Sequence, residues 1–166
     1  MSRRPTADEE FRFWSLIESA WAWTGAEESA RRRALITRAS DNEAYGLDLD
    51  TFLDNLRELC EDMSAAELTA LDRVLERKLY DLDRADIQRV TDGGDDGFLY
   101  CRGFIVAMGR EFYQAVVADP TVAVLDAECE GMCYFFAFLH DKRFGGFPDT
   151  ESGISRETTS NKAGWR

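Results

Sequence analysis

Two adjacent carboxylates, Asp95 and Asp96, follow a glycine turn in the run Asp92-Gly93-Gly94-Asp95-Asp96-Gly97-Phe98. Arg102 and then Arg110-Glu111 come about one and three turns into the helix expected behind it. Carboxylates at this point would accept the unpaired N–H groups of a helix start. The sharper alternative places Asp95, Asp96, Arg102, Arg110 and Glu111 around a cleft that holds a polar ligand or peptide. A calcium loop does not fit, because the twelve-residue pattern closes on Glu and the stretch from Asp92 closes on Gly103. A phosphate loop does not fit either, since no Lys follows Gly93-Gly94.

Cys129 and Cys133 lie four apart and share a helix face, near enough in principle to bind a metal with Cys60, Cys101 or His140. No C-x-x-C knuckle accompanies them, and small thiols are ordinary core fillers, so no metal and no cofactor is expected. His140 is the one histidine of the chain, which leaves triads and His-ligated metal schemes without members. Trp14 and Trp21 share the apolar stripe of the first helix and belong to the core. Trp23 falls off that stripe. Together with Phe144 and Phe147 it is a candidate contact for a partner.

The elements that must position these residues read as helices throughout. Thr6 and Glu9 have capping-box spacing, and Phe11, Trp14, Ile17 and Trp21 recur behind them, predicting a helix over 7–23. A second helix is expected from Ala26 to about Arg38, then a loop over 40–49 rich in Asp, Asn and Gly. From Asp50, Phe52, Leu53, Leu56, Leu59, Cys60 and Met63 form a stripe, and Ser64 with Glu67 makes a second capping box. Leu68, Leu71, Val74, Leu75 and Leu79 then line one face, with Asp72, Arg73, Glu76 and Arg77 expected on the solvent side.

The stripe weakens through Ile87 and Val90, with a break near Asp83, until Thr91-Asp92-Gly93-Gly94 stops it. A helix from Phe98 through Met108 and on to Ala118 is expected next, with Gly103 and Gly109 where backbones approach closely; Asp119-Pro120 ends it. The last helix should run from about Thr121 or Asp126 to His140 and, being apolar on most of its circumference, should be largely buried. The fold class is therefore all-α, a single compact multi-helix domain of short amphipathic helices over 1–140. A polar tail over 141–166 is expected to be flexible or loosely docked, unless Phe144, Phe147 or Trp165 packs on the domain.

The 166 residues include 32 acidic and 20 basic side chains, a net charge of −12 that opposes phosphate backbones and anionic lipid. Nucleic acid is disfavoured as a partner. The longest apolar run, 132–139, falls far short of the roughly 18 residues a bilayer requires. No export signal follows Arg3-Arg4, so a cytoplasmic location with reduced thiols is expected.

Phe13-Trp14-Ser15-Leu16-Ile17, Asp95-Asp96-Gly97-Phe98, Arg102-Gly103-Phe104-Ile105, Gly109-Arg110-Glu111 and Ala118-Asp119-Pro120 together resemble the bacterial domain-of-unknown-function family 4240 over residues 11–135. The chain departs from that pattern at Phe104, where Trp is usual, and after His140. The resemblance implies a helical domain and supplies no catalytic residue. Three functions are expected of such a chain. The first is a non-enzymatic protein-binding or regulatory module that works through Trp23, Phe144, Phe147 and its acidic surface. The second is an enzyme or small-ligand receptor with its site in the Asp95–Glu111 segment. The third is an acidic decoy or immunity-type protein that binds a basic partner.

Overall fold

In a computed structural model of the chain, residues 2–37, 46–92 and 94–166 are described. Both capping boxes form. The Thr6 hydroxyl accepts the Glu9 N–H at 3.1 Å while the Glu9 carboxylate accepts the Thr6 N–H at 3.1 Å, starting α1 at Ala7–Thr24. Ser64 and Glu67 repeat the exchange at the head of α4, Ala65–Asp81. Between them lie α2, Ala26–Ala34, continued by a 3₁₀ turn over Leu35–Thr37, and α3, Leu49–Leu59, capped by the Asp48 carboxylate on the Thr51 N–H. Residues 38–45, where most of the first loop was expected, lie outside the described residues, as does Gly93.

The stripe of α1 runs through Phe13, Ile17, Ala20 and Trp21 rather than through Phe11, which is 71% exposed. Trp21 closes its polar end by donating its indole N–H to the Ala107 carbonyl at 2.7 Å. The break expected near Asp83 is present and separates α4 from α5, Ala85–Thr91. The long helix expected from Phe98 to Ala118 is two: α6, Asp95–Ala107, and α7, Arg110–Ala118. Gly109 parts them with φ at 101°, a left-handed conformation that glycine adopts without strain.

Gly103 allows the close approach expected of it. A Cβ there would stand 2.6 Å from the Cys129 carbonyl oxygen, because α6 packs on α8, Glu130–Cys133, through this position. The single helix expected from Thr121 or Asp126 to His140 is broken into a 3₁₀ turn over Pro120–Val122, α8 and then α9, Phe135–Phe144, and α9 is buried only over its first turn, with Phe138 and residues 141–144 exposed.

α4 is the centre of the arrangement, packed on α1, α6 and α9, while α1 also covers α3. Among the described residues there is no strand, and no helix is long and apolar enough to cross a membrane. The side of α4 expected to face solvent does not: Asp72, Arg73 and Glu76 are buried. Their cover is the C-terminal segment. It runs back over α4 without regular structure, except for a 3₁₀ turn at Lys162–Trp165, and brings polar partners to these charges. The Trp165 ring meets Phe98 edge-on at 6.0 Å and its N–H reaches Asp83 at 2.8 Å.

Candidate functional site

The end of α9 is built to turn sharply. Gly145 donates its N–H to the Asp141 carbonyl at 3.0 Å, Gly146 donates to the Asp141 carboxylate at 2.8 Å, and both glycines hold positive φ, 79° and 75°. Any Cβ-bearing residue would be strained at either position. His140 Nδ1 lies 2.8 Å from the Gly146 carbonyl and ties the turn to the helix.

The turn folds Phe147 back onto its own helix. Its ring stacks on Tyr134 at 6.2 Å and meets Phe138 at 5.4 Å, and Tyr134 and Phe138 are 6.0 Å apart. Phe138 remains 60% and Phe147 54% exposed. The third ring is fixed from behind: the Arg156 guanidinium lies 4.6 Å over Tyr134, whose hydroxyl donates to Glu157 at 2.8 Å. The result is an apolar patch with a small cleft of about 270 Å³ beside it, lined by Tyr134, Phe147 and Ile154 on one side and by the charged Asp72, Glu76 and Arg156 on the other.

Of the partner contacts expected from sequence, Phe147 belongs to this patch. Phe144 is exposed, and its ring contact is with His140 at 5.6 Å rather than with these three rings. Trp23 is 53% exposed at the far end of α1 and makes no aromatic contact among the described residues. Phe138 was missed because its neighbours Phe135, Phe136 and Ala137 made the whole run look like core. Only the glycine turn that brings Phe147 to it hinted otherwise.

The candidate ligand residues are dispersed. Asp95 and Asp96 are exposed in the first turn of α6, whose N-cap is Gly94, and neither side chain caps the helix. Arg102 is fully buried and donates to the Leu79 carbonyl at 2.8 Å and the Thr158 hydroxyl at 3.2 Å. Burial draws its guanidinium down in pKa, and the nearby Asp83 carboxylate opposes that. Arg110 and Glu111 line a different cleft, of about 650 Å³, with Phe11, Trp14, Glu18 and Arg33. There the Glu18 carboxylate already pairs with buried Arg32 at 2.7 and 2.8 Å.

Cys60, Cys101, Cys129 and Cys133 are free and buried, and burial pushes each thiol up to about 12. A thiol held there is not a nucleophile at neutral pH. No group of three or more His, Cys, Asp or Glu side chains among the described residues is arranged to hold a metal ion.

A family model described as a protein of unknown function, DUF4240, matches residues 9–135. The chain belongs to that family. In this DUF4240 chain the match takes in α1 to α8 and stops at the first residue of α9, so Tyr134 lies inside it while Phe138, Phe147 and the C-terminal segment lie beyond it. No curated protein and no solved structure matches the chain.

Proposed function

We propose that this DUF4240 chain is a non-enzymatic protein-binding module that engages a partner through Tyr134, Phe138 and Phe147. The observation that carries this reading is the contact of the three rings with one another while two of them stay more than half exposed. Burying a large apolar side chain is worth roughly 1.5–3 kcal/mol, and rigid aromatic rings lose little entropy on contact, so such patches anchor interfaces. The thiols and the histidine, the side chains suited to covalent chemistry, are committed to structure. The thiols are held protonated by burial, and His140 fastens the glycine turn.

The test is the double substitution Phe138→Ser with Phe147→Ser in the full chain, recovered by affinity tag from its native host. The wild type should bring down one protein in near-equal amount and the variant about tenfold less or lower. Thermal unfolding should differ by no more than about 3 °C, because neither ring is in the core. Equal recovery by both chains, or no stoichiometric partner with the wild type, defeats the proposal.

A second reading, an acidic face for a basic partner, has its own support. Asp92, with Asp95 and Asp96 in the first turn of α6, and Asp126 and Glu128, with Glu130 at the start of α8, are all exposed. The two stretches adjoin, with the Asp126 N–H on the Thr91 carbonyl at 3.1 Å and the Cys129 N–H on the Tyr100 carbonyl at 3.0 Å. Contact through this face would be screened, so the recovered complex should come apart by about 0.5 M salt and weaken on Asp95→Asn with Asp96→Asn. A complex indifferent to both would owe nothing to these carboxylates.

A further inference from the structure

α1, α2 and α7 meet around the cleft of about 650 Å³ described above, which shares no residue with the aromatic patch. Phe11, Trp14 and Glu18 line it from α1, where steps of three and four residues keep them on one side of the helix. α2 brings Arg32 and Arg33, and the first turn of α7 brings Arg110 and Glu111.

Three donors in this cleft lack a firm acceptor. Trp14 is only 6% exposed, yet its indole N–H meets no acceptor among the described residues, whereas the indoles of Trp21 and Trp165 each have one. Polar groups on side chains this buried ordinarily find a partner. The Trp14 N–H keeps contact with solvent, and the cleft is the opening that this residue lines. Arg110 is exposed and forms no ion pair among the described residues, and Arg33 reaches Glu18 only at 3.9 Å. The start of α7 adds to the field, because its N-cap is Gly109 and no side chain caps it.

We infer that this cleft binds a small molecule with an apolar body and a single carboxylate, which accepts from Trp14, Arg33 and Arg110 while the body lies against the exposed ring of Phe11.

The charge of the lining selects a monoanion. Glu18 already matches Arg32 at 2.7 and 2.8 Å, and Glu111 offsets one of the two remaining arginines, so one positive charge is left over. A phosphate monoester, which carries nearly two charges at neutral pH, would meet both glutamates as well as the arginines. A carboxylate uses the surplus alone, and its planar pair of oxygens matches a guanidinium fork. Free organic acids and the carboxyl ends of peptides share this chemistry.

The test is an NMR titration of the full chain with 3-phenylpropionate, following the Trp14 indole N–H signal. That signal should move saturably, with a Kd of about 1 mM or below. Two relatives of the probe isolate the charge: 3-phenylpropionamide has none and benzylmalonate has two. Each should bind about tenfold more weakly or worse. Arg33→Gln with Arg110→Gln should weaken the acid by about tenfold and leave thermal unfolding unchanged, since both side chains are exposed. N-Acetylglycyl-phenylalanine separates the sources: binding within about threefold of the acid points to peptide ends, and weaker binding to a free small acid. A Trp14 signal unmoved at about 10 mM acid overturns the inference. So does an acid that the amide or benzylmalonate equals, or one that the double variant binds as well as the wild type.

Discussion

Replacing Asp83 by alanine is expected to lower the unfolding free energy by about 3 kcal/mol. Asp83 has no solvent exposure and accepts three hydrogen bonds from Thr159, Asn161 and Trp165. Bonds to a charged acceptor are worth more than neutral ones, and those three donors would be left facing a methyl group. The substitution also removes the carboxylate that supports the buried Arg102 guanidinium. Asp83→Asn should cost less, about 2 kcal/mol, because its oxygen still accepts while its NH₂ meets a backbone donor. Denaturant melts give the free energies, and the Trp165 indole resonance should move toward its solvent-exposed position in both variants. A loss below about 1 kcal/mol for the alanine variant would mean that the C-terminal segment contributes little.

The two glycines of α6 should respond to alanine with opposite signs. At Gly103 the new Cβ would stand 2.6 Å from the Cys129 carbonyl oxygen and 2.7 Å from Cys133 Sγ. Backbone cannot yield as a side-chain tip can, so overpacking of about 1–3 kcal/mol outweighs the gain of up to about 1 kcal/mol that alanine brings to a helix. A net loss of about 2 kcal/mol is expected. At Gly97 the nearest atom is Glu128 Oε1 at 3.4 Å, the free end of a flexible exposed side chain. There the propensity gain prevails, and the variant should be about 0.5 kcal/mol more stable. Stabilisation at both positions would contradict the close approach of α6 and α8.

What the sequence made legible was what local chemistry specifies. Thr6 with Glu9 and Ser64 with Glu67 marked two helix starts because a capping box needs only four residues and no tertiary partner. The break at Gly109 was not legible. The apolar residues around it continue a helical rhythm, and a glycine shows from sequence neither whether it is left-handed nor whether it is close-packed. The burial of Asp72, Arg73 and Glu76 was hidden for a different reason. Periodicity assigns charged residues to solvent, and only a segment some 80 positions away, with Arg156 at its middle, reverses that assignment. That segment read as a loose tail because its contacts are polar, and polar complementarity leaves no repeating pattern.

The candidate site was half visible. Phe147 stood out as a large apolar residue in a polar, glycine-rich stretch, whereas Phe138 sat inside an aromatic run and read as core. Asp95, Asp96, Arg102, Arg110 and Glu111 are near one another in sequence, but α6 sends Arg102 inward and the turn at Gly109 carries Arg110 and Glu111 to another cleft.

Site-specific photo-crosslinking in the native host bears most directly on the proposed role. A photoreactive phenylalanine analogue placed at Phe138 or at Phe147 should yield one and the same adduct, and placed at Trp23 it should yield none. Adducts formed only from Trp23, or from none of the three positions, would contradict binding through the Tyr134–Phe138–Phe147 patch.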